Sequence, residues 1–138
     1  MVRVFMLEDH AGVRQGFHLL LEQEGIEICG EAENLAAARQ GIRLGAPDLV
    51  MIDLSLGKED GMDLLHEFSQ SAPGLPLLVV SMHEDAMHVN QALQAGAKGY
   101  VTKRETANLL GHAIRECLAG RKYVSPRAAC GLPKQGES

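Results

Sequence analysis

Asp53 stands at the end of a short apolar run, residues 49–52, and a polar loop that contains Gly57 follows it. A continuous apolar run with such a loop beyond it is typical of a strand buried on both faces of a parallel sheet. In open sheets of this kind, ligands bind just beyond the carboxyl ends of the strands. A lone Asp in such a place is more often a turn or cap residue, so its chemistry depends on which side chains share its edge of the sheet.

The other candidate strands also end in polar side chains. These are Glu8 and Asp9 after the first strand, Ser81 after the fourth and Lys103 after the fifth. Carboxylates that converge with Asp53 on one edge would repel one another unless a cation lies among them, and oxygen ligands of this kind suit Mg²⁺. A lysine and a hydroxyl suit the oxygens of a phosphoryl group. The set therefore predicts phosphoryl transfer to a carboxylate nucleophile, with Mg²⁺ and Lys103 neutralising charge.

Apolar periodicity predicts the elements that would position these residues. The predicted strands are residues 2–7, 26–32, 48–53, 75–80 and 99–102, and the predicted helices are about residues 10–23, 34–44, 61–70, 85–95 and 105–119. Strands that alternate with helices in this way predict an α/β fold, a doubly wound five-stranded parallel sheet with helices on both faces. We predict one domain over residues 1–120 and a linker or C-terminal tail at 121–138, because the pattern lapses after Gly120.

The composition argues against several classes of protein. A net charge of -5 on 138 residues argues against a dedicated nucleic-acid binder, which usually carries a basic excess. The apolar runs are too short to span a bilayer, and the first one reaches Glu8 and Asp9 too soon for a secretory signal. The cysteines lie far apart, without a zinc spacing, and the histidines are dispersed, which argues against a transition-metal site. We therefore expect a cytoplasmic protein without a membrane segment.

The strand-end motifs resemble the receiver domain of two-component response regulators, over residues 2–119. The resemblance rests on Leu7-Glu8-Asp9-His10, on Met51-Ile52-Asp53-Leu54 with Gly61, on Val80-Ser81-Met82-His83 and on the segment from Gly96 to Lys103. Residues 81–85 and 120–126 narrow it to regulators of the LuxR or NarL type, which carry a helix-turn-helix DNA-binding domain. Only 12 residues follow Pro126, too few for that domain, so we expect either a stand-alone receiver or a chain cut at the linker.

The resemblance implies a flavodoxin-like, CheY-like fold in which Asp53 is the phospho-acceptor. The implied Mg²⁺ ligands are Glu8, Asp9, Asp53 and the backbone carbonyl of Ser55. The implied phosphate-binding and switch residues are Ser81, Tyr100 and Lys103, with Tyr100 turning inward when phosphate arrives. The residues expected to tune the loss of phosphate are Ser55, Met82 and His83. We expect a slow to moderate loss.

The resemblance also implies partners. A sensor histidine kinase would supply the phosphoryl group, and the protein would be a phosphorylation-controlled switch rather than an enzyme with an external substrate. The switched surface would be the face of the fourth helix and fifth strand. DNA would be reached only through an output domain absent from this chain. A homodimer is an open alternative to the monomer, formed either through the first and last helices or through the switched surface.

Two other functions remain open at this stage. A degenerate receiver would act as a constitutive interaction module and never accept phosphate, which the complete acidic set with Lys103 disfavours. A phosphatase with an Asp nucleophile needs a second Asp two residues further on, where this chain has Ser55. The family often has Pro four residues after the acceptor, and Gly57 in its place predicts a looser loop.

Overall fold

A computed structural model of the protein describes residues 1–132. The strands are β1 (Arg3–Leu7), β2 (Glu27–Ala32), β3 (Leu49–Ile52), β4 (Ser55–Leu56), β5 (Glu59–Asp60), β6 (Leu77–Ser81), β7 (Gly99–Thr102) and β8 (Tyr123–Val124). Six of them form one parallel sheet in the order β2-β1-β3-β6-β7-β8, and β4 and β5 form a separate antiparallel hairpin. The predicted α/β fold with a doubly wound parallel sheet is confirmed, with one short strand added at its edge.

The helices cover both faces of this sheet. They are α1 (Ala11–Gln23), α2 (Leu35–Gly45), α3 (Gly61–Ser71), α4 (Ala86–Gln94), α5 (Thr106–Leu118) and the short α6 (Pro126–Ala129), with a 3₁₀ turn at Lys103–Glu105. One core cluster contains the apolar residues of α1 and α5, and the other contains those of α2, α3 and α4. None of the helices within residues 1–132 combines the length and apolar character that a bilayer crossing requires.

Strand β1 illustrates why the central strands are apolar throughout. Phe5 and Leu7 pack into the cluster beneath α2, α3 and α4, whereas Val4 and Met6 pack into the cluster beneath α1 and α5. Successive side chains of a strand point to opposite faces, so a strand covered on both sides needs apolar residues at every position. The side chains of β3 are likewise all apolar and buried, and Asp53 is the first polar residue after them.

Side-chain caps set where α2, α3 and α4 begin. The Asn34 carboxamide oxygen accepts a hydrogen bond from the Ala37 N–H (2.9 Å), as its sequence position predicts. Asp60 and Asp85 cap α3 and α4 in the same way. Gly61 opens α3 beside the phospho-acceptor candidate, and a Cβ there would overlap the backbone carbonyl of Asp53. Only glycine lets α3 start this close to the end of β3.

The segment after Gly120 contains two elements that the sequence pattern does not predict. Strand β8 adds to the sheet beside β7, and the Ser125 N–H donates to the Tyr100 carbonyl (2.9 Å). Ser125 is fully buried, and its hydroxyl accepts from the Thr102 N–H (3.2 Å). Ala128 of α6 is also fully buried. The sheet therefore has a sixth strand where a tail is expected; the boundary at residue 120 stays a prediction, and residues 133–138 of that tail lie outside the described residues.

Candidate functional site

The acidic residues lie together at the carboxyl ends of β1 and β3. These strands are neighbours in register, with Leu7 opposite Ile52, so the residues that follow them are held side by side. Lys103 begins the turn after β7 and reaches across β6 toward the same place. Its Nζ lies 2.8 Å from Glu8 Oε1 and 3.2 Å from Asp53 Oδ2. The sheet thus brings Glu8, Asp53 and Lys103 into direct contact.

Asp53 is a buried carboxylate with few neutralising contacts. It is 3% exposed, and its Oδ1 accepts one hydrogen bond from the Ser55 N–H (3.0 Å). Burial raises the pKa of Asp53 to about 6, and the nearby charge of Glu8 adds to this rise while Lys103 opposes it. A raised pKa of this kind marks a carboxylate whose ionised form lacks full compensation from the protein itself.

Glu8 and Lys103 form the balanced part of the site. Glu8 is 1% exposed, and burial would raise its pKa, but the Lys103 ammonium close to it and a hydrogen bond from the His10 N–H (3.1 Å) bring that pKa below its ordinary value. Burial opposes the charge of Lys103, yet the adjacent Glu8 carboxylate and the charge of Asp53 raise the lysine pKa. Both groups are therefore ionised at neutral pH, which leaves Asp53 as the uncompensated charge.

The donor set fits a divalent cation. Glu8, Asp9, His10 and Asp53 each offer a ligand atom within 4.8 Å of the others. Within the described chain, buried Glu8 Oε1 and Asp9 Oδ1 receive no well-directed hydrogen bond, although they lie 2.8 Å from Lys103 Nζ and 3.0 Å from His10 Nδ1. Carboxylate oxygens that receive no well-directed hydrogen bond, in a pocket with three carboxylates and one lysine, are suited to a hard cation such as Mg²⁺.

The other predicted site residues lie around the end of β6, except for Tyr100 within β7 and Ser55 at the start of β4. Ser81 is 1% exposed, and its hydroxyl accepts from the His83 N–H (3.1 Å). Tyr100 is fully buried, and its hydroxyl donates to the His83 carbonyl (2.7 Å), so its ring already lies inward in this structure. Ser55 and Met82 are exposed, with Met82 at 64%. The backbone of His83 thus connects the two predicted switch residues.

Two histidines and an aspartate meet at the start of α4, which the sequence analysis missed. The rings of His83 and His88 are stacked, with centroids 3.9 Å apart and planes inclined by 1°. Asp85 Oδ2 lies 2.7 Å from His88 Nδ1. The six histidines are dispersed along the sequence, but the fold brings the rings of His83 and His88 into contact. The available signal is the spacing of two histidines and one aspartate around a helix N-cap.

Comparisons with known proteins agree with this architecture. The family model of the response regulator receiver domain matches residues 4–115. The chain is 31% identical over 130 residues to the response regulator GacA of Pseudomonas aeruginosa, covering 94% of this chain and 61% of GacA. It is 32% identical over 133 residues to the DNA-binding transcriptional activator DevR/DosR of Mycobacterium tuberculosis, covering 96% of this chain and 61% of that protein.

A solved structure extends the comparison to the fold. The crystal structure of a LuxR-family two-component response regulator from Aurantimonas sp. SI85-9A1 has a TM-score of 0.90 and 32% identity, and the match covers 96% of this chain and 95% of that one. The chain spans about three fifths of the length of the two curated relatives named above. With the family match over most of its length, the chain belongs to the response regulator receiver domain family and is similar to receivers of the LuxR type.

Proposed function

We propose that this receiver accepts a phosphoryl group on Asp53 from a sensor histidine kinase and releases it slowly. The observation that supports this most directly is the pairing of the buried Asp53 carboxylate with Lys103 Nζ at 3.2 Å, beside Glu8. A structural ion pair would need only one acid. A second buried acid and the adjacent Asp9 leave a negative charge that an incoming divalent ion would balance.

The transfer needs little chemistry from the protein beyond positioning. An Asp53 carboxylate oxygen attacks phosphorus, the bond from phosphorus to the donor nitrogen breaks, and the leaving imidazole keeps that electron pair. Lys103 stays near the transferred group and offsets its charge. Glu8, Asp9, Asp53 and the backbone carbonyl of Ser55 are the proposed ligands of Mg²⁺, which would supply neutralisation of the phosphoryl oxygens when bound. The kinase gives up the phosphoryl group and Asp53 receives it, so no external substrate is consumed.

The switch that follows rests on the residues between β6 and β7. A phosphoryl group on Asp53 adds charge at the edge of the sheet where Ser81, at the end of the neighbouring strand β6, offers a hydroxyl donor. If Ser81 turns to donate to this group, its oxygen leaves the His83 N–H, and the contact from Tyr100 to His83 changes with it. Ser55, Met82 and His83 are proposed to set how fast water removes the phosphate. The face of α4 and β7 would then signal to a partner or to a DNA-binding domain outside this chain.

Intact mass after treatment with acetyl phosphate tests the acceptor. We expect one phosphoryl adduct per chain in Mg²⁺, none in EDTA, and none for Asp53→Asn. Asp63→Asn, on the exposed surface of α3, is the matched control and should accept phosphate normally. An adduct on Asp53→Asn, or no adduct on the wild-type protein, would contradict the proposal. Loss of the adduct within seconds would contradict the slow release alone.

A further inference from the structure

The start of α4 carries a second cluster of potential metal ligands, separate from the acidic pocket. His83 lies in the loop after β6, Asp85 caps α4 and His88 lies in the first turn of that helix. One ligand atom from each lies within 4.8 Å of the others. The Asp85 carboxylate oxygens lie 2.7 Å and 2.9 Å from His88 Nδ1, so two of the three groups are already in contact.

The cluster is open to an incoming ion. A cleft of about 340 Å³ separates the β4–β5 hairpin from α4, and both histidines line it. The Asp85 side chain is 50% exposed and that of His88 is 33% exposed. Within residues 1–132, neither ring nitrogen of His83 takes part in a hydrogen bond, and the ring stacks on that of His88.

We propose that His83, Asp85 and His88 form a zinc-binding site on the loop between β6 and α4. Zn²⁺ is a borderline ion that binds two imidazoles and one carboxylate readily, whereas Mg²⁺ prefers oxygen ligands only. Tetrahedral Zn²⁺ holds its nitrogen and oxygen ligands at about 2.0–2.2 Å, which places donors about 3.3 Å apart. Asp85 and His88 are near that separation, and the His83 ring reaches it by rotating out of the stack. Water fills the remaining position.

A zinc ion here would act on the switch as well as on the loop. The His83 N–H donates to Ser81 and its carbonyl accepts from Tyr100, so one residue joins the metal site to both predicted switch residues. Fixing the His83 ring restrains the loop in the arrangement seen here, with Tyr100 inward. This second half of the inference rests on the proposed function. By linkage, if zinc alters the response to phosphate, phosphate alters the affinity for zinc by the same factor.

Binding is tested on the full chain by calorimetric titration with zinc chloride, in excess Mg²⁺ so that the acidic pocket is saturated. We expect one Zn²⁺ per chain, and histidine ring signals in ¹H–¹⁵N spectra that shift for His83 and His88. Loss of one ligand should weaken binding by more than about tenfold. His88→Ala and Asp85→Asn supply that loss, and Asp85→Asn keeps a side chain able to cap α4.

His66→Ala is the matched control, because His66 is an exposed histidine on the neighbouring helix α3. It should bind zinc as the wild type does, and so should Asp53→Asn, which separates this site from the phosphate acceptor. Zinc binding that survives His88→Ala and Asp85→Asn unchanged, or no shift of the His83 and His88 ring signals, would overturn the site. Equal zinc affinities for phosphorylated and unphosphorylated protein would overturn its link to the switch.

Discussion

The edge of the sheet where the strands end has two halves that are built differently. At β1 and β3, Glu8 and Asp53 are nearly fully buried, and Lys103 pairs with both through charge. At β6 and β7, Ser81 and Tyr100 make neutral hydrogen bonds to the backbone of one half-buried loop residue, His83. The first half therefore responds to charge, and the second responds to the position of a loop. A phosphorylation switch needs both, because a charge placed in one half must move the other.

Substitution of Lys103 tests the half of the site at β1 and β3, which is held by charge, and has the largest expected effect on stability. Lys103→Ala leaves Glu8 and Asp53 buried without their shared cation. We expect the free energy of unfolding in EDTA, near neutral pH, to fall by about 3 kcal/mol, because an uncompensated buried charge is costly. Mg²⁺ should restore much of this loss by supplying another cation. Urea unfolding with and without Mg²⁺ measures both effects.

Arg104→Ala is the control for this change, because Arg104 is the next residue and its side chain is 58% exposed. Its ion pair with Glu84 spans 3.8 Å at the surface, so its loss should change stability by no more than about 0.5 kcal/mol. Equal effects of the two substitutions would mean that the acidic half is not held together by charge.

The pKa of Asp53 predicts a dependence of stability on pH in the metal-free protein. Because folding raises this pKa from 3.8 to about 6, the folded state favours the protonated acid. The group costs nothing well below pH 3.8, where it is protonated in both states. Its cost grows as pH rises from about 4 to about 6 and is fully present above that. At neutral pH, Asp53→Asn should therefore stabilise the protein by about 1–3 kcal/mol in EDTA.

Thermal unfolding of wild type and Asp53→Asn across this pH range measures the difference. The two proteins should converge in stability at acid pH, and Mg²⁺ should narrow the gap at neutral pH by stabilising the wild type alone. Asp63→Asn, an exposed acid, should show no such trend. A gap that stayed constant with pH would show that Asp53 is not the uncompensated charge.

The acidic half could be predicted from the sequence because its geometry follows from topology. Each of Glu8, Asp9, Asp53 and Lys103 stands just beyond a predicted strand, and parallel strands bring such positions to one edge without further information. The alternation of strands and helices, and the cap at Asn34, are local signals of the same kind. The family resemblance then supplies roles for these residues that the spacing alone does not.

The remaining features depend on contacts between distant parts of the chain. Strand β8 is only two residues long, and residues 121–125 carry no periodic signal that would predict it. It pairs with β7, and Ser125 beyond it hydrogen-bonds to Tyr100 and Thr102. The hairpin of β4 and β5 is likewise too short to show a pattern. The stack of His83 on His88 depends on how α4 turns away from β6, which side-chain spacing alone does not determine.

The smallest expected effect separates the two halves most cleanly. Tyr100→Phe keeps the buried ring but removes the hydroxyl that donates to the His83 carbonyl (2.7 Å). One such hydrogen bond contributes about 1 kcal/mol, so global stability should fall only slightly. Hydrogen exchange should instead quicken for amides of residues 82–88, because the loop loses its tie to β7. Exchange at Asp53 and Ser55 should stay unchanged, since charge and the hydrogen bond to Asp53 hold that half. Faster exchange in both halves would mean that the loop and the acidic pocket move together even without phosphate.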